Sequence, residues 1–328
     1  MILDGSLPVS VEQGARTLSA GELVAFPTET VYGLGADAGS DSAVAKIFAA
    51  KGRPSDHPLI VHVADAASVA HFAASVPPFA QRLMDAFWPG PLTLILPRRS
   101  GVGAAAAGGQ DSIGLRCPAH SVAHALLVAC RNAVPPVLGV AGPSANKFGR
   151  VSPTTAQHVQ SEFGDSVLVL DGGPCTVGIE STIIDCSRGA PVLLRPGVLT
   201  PDAIEQACGQ PLESPGAGAP RASGTLESHY APKASVRLMD ASSLQTALDL
   251  LGAEASRIAI YSRVILRSNS AKILRRRMPD DAIETARQLF AVLREFDNQG
   301  VRLIWVETPP AGPEWDGVRD RLQRASAG

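Results

Sequence analysis

KGRPSDHPLIVHV, residues 51–63, decides how the first half of this chain is read. A helix predicted from the N-cap Ser40, with Val44, Ile47 and Phe48 on one face, stops at Gly52. Glycine is favoured just past a helix end, and Pro54 cannot continue the helix. Residues 59–63 then read as a buried strand. Lys51 and Arg53 thus stand one residue apart on a stiff loop above a sheet, which suits holding phosphate oxygens. The alternative is a solvated pair that complements the helix dipole.

Moving outward, GPSANKFGRVSPT at 142–154 supplies small hydroxyls, an amide and two more cations at the end of another predicted strand, 137–141. Residues 10–20 read as a helix closed by Gly21, and 23–26 as a strand running into the loop PTETVYGLGADA. Strands are expected at 92–96 and 113–116, and a helix at 120–130. Further strands at 167–170, 182–185 and 192–194 have hairpin-like connections, and Thr200-Pro201-Asp202 opens a helix. Residues 211–234, rich in Pro, Gly, Ala and Ser, read as a linker. Strands at 236–239, 258–261 and 303–306 then alternate with helices near 243–254, 280–297 and 314–325. The expected class is α/β: a twisted mixed sheet with helices around a cationic cleft over 1–210, plus a small Rossmann-like parallel domain over 235–328.

The bulk numbers fit a globular protein of two domains, with 328 residues, 45% hydrophobic and 18% charged. Net charge is −2, so no global basicity advertises nucleic acid. Residues 1–210 carry 13 cations against 17 carboxylates, and 236–328 carry 14 against 12. A cationic cleft in the first part is therefore local. Five cysteines without a C-x-x-C pair indicate neither a disulfide framework nor a zinc site. No signal peptide or membrane helix is read, so a cytoplasmic location without membrane contact is expected.

Individually the polar residues stay ambiguous. The G-x-G of Gly33 and Gly35 lacks a third glycine and an immediate helix, so turn glycines compete with a dinucleotide fingerprint. Thr28 and Thr30 could bind a carboxylate or amino-acid group, or cap a turn. His57 and His62 could be ligand contacts or satisfied imidazoles. Arg116, where a strand leaves the sheet, suits an anion fork or a surface ion pair. Ser144 and Asn146 could bind phosphate or cap a helix, and Ser152 could cap one near Pro153. Ser181 and Arg195 could share the cleft or pair locally.

Their joint order is more specific. PTETVYGLG (27–35), KGRPSDHPLIVHV, FWPGPLTLIL (87–96), IGLRCP (113–118), GPSANKFGRVSPT, GIESTII (178–184), LLRPG (193–197) and SHYAP (228–232) resemble the threonylcarbamoyl-AMP synthase family in its long form. The resemblance implies a YrdC-like catalytic domain over 1–210, a linker and lid over 211–234, and the C-terminal domain over 235–328. It implies that L-threonine, bicarbonate and ATP, with Mg2+, yield threonylcarbamoyl-AMP and pyrophosphate. A downstream transferase complex would place the threonylcarbamoyl group on tRNA beside the anticodon. By motif matching, Thr30, His62, Arg116 and Ser181 would contact threonine. Arg53, His57, Ser112, Gly142, Ser144, Ser152, Arg195 and Tyr230 would contact ATP. Lys51, Arg53, Ser144 and Asn146 form the signature catalytic pairs, and no residue is assigned to metal.

This chemistry brings a carbamate to a triphosphate. Two unit charges at 4 Å repel by ~4 kcal/mol at an effective dielectric near 20. Cations can offset that repulsion, and adenylyl transfer needs positioning and electrostatics more than a nucleophile. The labile carbamate calls for shielding, so the linker is expected to fold over the cleft with Tyr230 closing on the nucleotide. Packing of Tyr230 against the second domain is the alternative. An RNA-binding module is the competing class, aided by Arg267, Lys272, Arg275, Arg276 and Arg277, although that run also reads as a solvated face. A different carbamoylating enzyme would carry extra segments that are missing here.

Overall fold

In the computed structural model, residues 1–216, 218–225 and 229–328 are described. Ala217 and residues 226–228, with Ser228 of SHYAP, lie outside the described residues, so that part of the expected lid is not described. The first ten strands are β1 (Ile2–Asp4), β2 (Val24–Phe26), β3 (Gly33–Asp37), β4 (Ile60–His62), β5 (Leu92–Pro97), β6 (Ser112–Arg116), β7 (Val140–Ala141), β8 (Leu168–Asp171), β9 (Thr182–Asp185) and β10 (Val192–Arg195). They form one mixed sheet in the order β1-β8-β2-β3-β7-β4-β6-β5-β9-β10. A second sheet, wholly parallel, orders β11 (Ser235–Met239), β12 (Ile258–Ser262), β13 (Leu274–Arg277) and β14 (Leu303–Glu307) as β11-β14-β12-β13.

Local sequence explains the elements that frame the site. Ser40 caps the helix Asp41–Lys51 by accepting from the Ala43 N–H, and Gly52 ends it at φ 66°. Left-handed backbone of this kind is glycine's natural role. The helix buries Val44, Ile47 and Phe48 in the main core. A buried side chain of that size contributes about 1.5–3 kcal/mol. The helix Ser121–Arg131 packs Val122, Leu126 and Cys130 into a satellite core with Leu18 and Phe26.

Two expectations are corrected and one unforeseen strand is found. Part of the PTETVYGLGADA loop is strand β3, antiparallel to β2, and neither Gly33 nor Gly35 has a positive φ. A Cβ at Gly35 would fall 2.8 Å from Val140 Cγ1 and 3.0 Å from Phe26 Cε1. These glycines therefore let strands and an aromatic ring approach closely, and they do not make a tight turn. The strand expected at 137–141 shortens to Val140–Ala141. The basic run is strand β13 at the edge of the second sheet, with Arg275 to Arg277 exposed.

The two sheets meet through a shared core. Val31, Val151, Ile179 and Tyr230 cluster with Phe290, Leu293, Trp315 and Leu322 of the second domain. At two points the seam has no side chain to spare. A Cβ on Gly178 (φ 84°) would overlap the backbone of Arg287, and one on Gly317 would overlap the backbone of Gly197.

Candidate active site

Strand ends converge on one cleft. β4 and β6 run parallel with His62 opposite Arg116, so both side chains reach the rim where these strands leave the sheet. β7 leads into Gly142-Pro143-Ser144, and β10 ends at Arg195. The cleft is lined by Thr30, Arg53, His62, Arg116, Gly142, Ser144, Ser181, Arg195 and Tyr230 among the expected residues. Thr28, Glu180, Ser223, Gly224 and His229 also line it.

Two linked groups make up the walls. In the first, Arg116 Nη1 donates to Thr30 Oγ1 at 2.7 Å, while Nη2 pairs with Glu29 Oε1 at 2.6 Å. Both partners of that ion pair are nearly inaccessible to solvent, and Glu29 Oε2 accepts from the Ala119 N–H at 3.1 Å. The carboxylate thus fixes the guanidinium so that it cannot wander. Burial, then Arg116, pushes the His62 imidazole down to about 3, so it is neutral. Its Nδ1 is buried without a hydrogen-bond partner.

In the second group, Arg195 donates from Nε and Nη2 to the Ser181 carbonyl at 3.1 and 2.8 Å, and from Nη1 to the Ser223 carbonyl at 2.8 Å. Arg53 Nη2 donates to Pro58 O at 3.0 Å and to Ser223 Oγ at 3.4 Å. The linker therefore sits in the cleft, offering a carbonyl and a hydroxyl to two guanidinium groups. Gly224 (φ 75°) is required there, because a Cβ would overlap the Tyr230 hydroxyl and reach within 2.8 Å of Arg195 Nη1. Tyr230 packs against the second domain, its ring stacking on Phe290 at 5.5 Å, and it also lines the cleft. Its hydroxyl, His229 Nδ1 and Arg53 Nε are buried without hydrogen-bond partners. Unmet buried polar groups mark places where a polar ligand can be received.

Five expected residues sit elsewhere. Lys51 is buried and donates to the Ser144 and Asn146 carbonyls at 2.6 and 2.5 Å. Burial, then Arg53, lowers its ammonium pKa well below the usual range. It ties down the Ser144–Asn146 turn and does not line the cleft. Asn146 donates to the Lys147 and Arg150 carbonyls and holds the same turn. Ser112 lines a neighbouring hollow with Pro58, Gln110 and Ser223, and His57 another with Arg53, Phe148 and Thr225. Ser152 caps no helix; Thr155 does that, and Ser152 Oγ donates to Glu180 Oε1. Sequence reasoning overlooked Glu29, Glu180 and His229. The first two carry a legible signal, a lone acid inside the runs of small or apolar residues PTET and GIEST.

Comparison with known proteins follows the same division. Residues 16–197 match the Sua5/YciO/YrdC family, described as telomere recombination, and residues 199–327 match the threonylcarbamoyl-AMP synthase C-terminal domain. The chain is 38% identical to the threonylcarbamoyl-AMP synthase of Pyrococcus abyssi, covering 95% of this chain and 92% of that protein. For the Bacillus subtilis threonylcarbamoyl-AMP synthase the identity is 36%, covering 97% and 93%. The crystal structure of P. abyssi Sua5 complexed with L-threonine superposes with a TM-score of 0.87 at 35% identity, over 98% of this chain and 95% of that one. Matched end to end by these relatives and built around the same fold, the chain belongs to the threonylcarbamoyl-AMP synthase family in its form with a C-terminal domain.

Proposed function

We propose that this protein is an L-threonylcarbamoyladenylate synthase, a nucleotidyltransferase that joins L-threonine, bicarbonate and ATP into threonylcarbamoyl-AMP with release of pyrophosphate. Its product would supply the modification of tRNA beside the anticodon. One observation carries the reading: Arg53, Arg116 and Arg195 line a single cleft, in which Glu180 is already neutralised by Arg321. Such a site suits the meeting of two anions.

Arg116, held by Glu29, would receive the threonine carboxylate in place of the Thr30 hydroxyl contact. His62 Nδ1 would accept from the amino acid's hydroxyl or amine, which a neutral imidazole can do and an imidazolium cannot. Arg53 and Arg195 would exchange their bonds to Ser223 for phosphate oxygens and offset the repulsion between carbamate and nucleotide. Lys51 would act indirectly, by fixing the turn that presents Ser144. Among the described residues no group of three or more His, Cys, Asp or Glu side chains could hold a metal, and both oxygens of Glu180 are engaged. Magnesium would accordingly arrive as part of the nucleotide, on its phosphates.

The free volume of the cleft is about 40 Å3, room for a few waters at the ~10–15 Å3 that each needs on this measure. Nucleotide binding to Arg53 and Arg195 would displace Ser223 from them, so the linker would act as a lid that opens and recloses. The decisive experiment incubates the protein with MgATP, L-threonine and labelled bicarbonate and identifies the nucleotide product by mass. Labelled threonylcarbamoyl-AMP requiring all three substrates is expected; ATP turnover that ignores threonine would refute the assignment.

A further inference from the structure

The C-terminal domain sends a side chain to the back of the cleft. Arg321, on the helix Asp316–Ser326, is 0% exposed although it carries a permanent charge. Its guanidinium reaches three separate stretches of the first domain and linker. Nε donates to Glu180 Oε2 at 2.8 Å and Nη2 to the Glu180 carbonyl at 3.1 Å. Nη1 donates to the Pro196 carbonyl at 2.9 Å and to Asp320 Oδ2 at 2.6 Å. The guanidinium carbon lies 5.3 Å from the centre of the Tyr230 ring. Each stretch borders a cleft group: Glu180 precedes Ser181, Pro196 follows Arg195, and Tyr230 lines the cleft itself.

We infer that Arg321 is a positioning residue of the cleft, supplied by the second domain, which seats Ser181, Arg195 and Tyr230 against one guanidinium. The assignment builds on the proposed reaction for its kinetic readout. A planar fork with five donors can hold three backbone and side-chain partners at fixed angles, whereas an ammonium cannot. Burial opposes the Glu180 carboxylate, yet Arg321, Arg195 and Ser152 outweigh it and keep it ionised. Tyr230 has a left-handed backbone (φ 61°), which a bulky residue adopts only when its surroundings hold it there. The cation–π contact and the stacking on Phe290 are those surroundings.

Four variants separate positioning from mere support. Arg321→Met leaves Glu180 as an uncompensated buried charge; adding Glu180→Gln removes that charge, and Glu180→Gln alone is the reference. Arg321→Lys keeps the charge and loses the fork. Threonine-dependent pyrophosphate release should fall about 10²-fold in Arg321→Met, the scale of a ~1 Å misplacement. Arg321→Met/Glu180→Gln should regain thermal stability while turnover stays at least about tenfold below Glu180→Gln. Recovery of turnover together with stability would overturn the inference, as would wild-type turnover in Arg321→Lys. A second readout is independent of the reaction: trypsin should cut after the exposed Arg221 faster in the double variant than in Glu180→Gln. Equal cleavage rates overturn the inference even if wild-type protein makes no threonylcarbamoyl-AMP, an outcome that removes only the functional reading.

Discussion

The molecule contains two crevices at strand ends, and they are finished in opposite ways. In the parallel sheet, Ser262 at the end of β12 stands opposite Glu307 at the end of β14, near where a doubly wound sheet would take a ligand. Glu307 fills that place. It accepts from the Ser262 hydroxyl and the Arg263 N–H at 2.7 Å each, from the Val264 N–H at 3.2 Å, and pairs with Arg263 at 2.5 Å. The larger sheet leaves its cleft lined with cations and with buried polar atoms lacking partners. Glu307 thus takes up most of the donors at its strand end, leaving Arg263 Nε without a partner, whereas three guanidinium groups of the first domain, those of Arg53, Arg116 and Arg195, converge on one cleft. The Rossmann-like pattern of the second domain predicts its parallel topology.

Substitutions can break this contrast. Arg53→Ala and Arg195→Ala should each lower threonine-dependent pyrophosphate release about 10²–10³-fold with the fold intact, as for loss of one preorganised donor; rates near wild type in both would remove the cationic cleft from the mechanism. Lys51→Ala should approach that loss through disorder of the Ser144 turn, detectable as a larger rise in KM for ATP than for threonine. Glu307→Gln provides the counterpart: about 1–3 kcal/mol of stability lost, as for a buried charge-assisted network, with turnover unchanged below the melting range. A drop in turnover would assign the second crevice a part in catalysis.

Acid should also separate the two halves. All seven histidines lie within residues 57–229 and the second sheet has none. Burial pushes His62 and His229 down to about 3 and His158 to about 4. Their folded pKa values lie below the unfolded value near 6.5, so the unfolded chain binds more protons at mildly acidic pH. Stability is therefore complete above pH ~6.5 and declines as the pH falls toward 4, by at most ~1.4 kcal/mol per pH unit for each imidazole. Hydrogen exchange between pH 7 and 5 should show the first sheet losing protection ahead of the second; equal loss would contradict the histidine account. The smallest effect is expected at the basic edge. Arg276 pairs with Glu295 and Arg277 with Asp280 at the surface, so Arg276→Gln should change stability by under ~0.5 kcal/mol. It should also leave any salt-dependent RNA affinity unaltered; a reduced salt slope would support RNA contact along β13.

What the sequence made legible was whatever local rules govern. The helix stop at Gly52, the start at Thr200-Pro201 and the strand 182–185 all follow from capping and periodicity, and each is found in place. Gly33 and Gly35 misled because glycine in a turn and glycine under a packed aromatic ring look identical in one dimension. Ser152 and Lys51 were legible as polar residues of interest, but their partners, Glu180 and the Ser144 turn, lie 28 and 93 residues away. Arg321 was invisible for the same reason: nothing in DGVRDRLQR distinguishes the arginine that enters the neighbouring domain from Arg319 and Arg324, which pair with acids of their own helix.

Gly178 and Gly317 bring main chain against main chain across the seam between the two sheets. With no side chain serving as a spacer, the relative orientation of the halves tolerates drift in the surrounding apolar residues. The same closeness makes a single methyl group a wedge. Alanine at either position would prise the C-terminal helix or its neighbour off the first domain, and misalign a site that neither glycine touches.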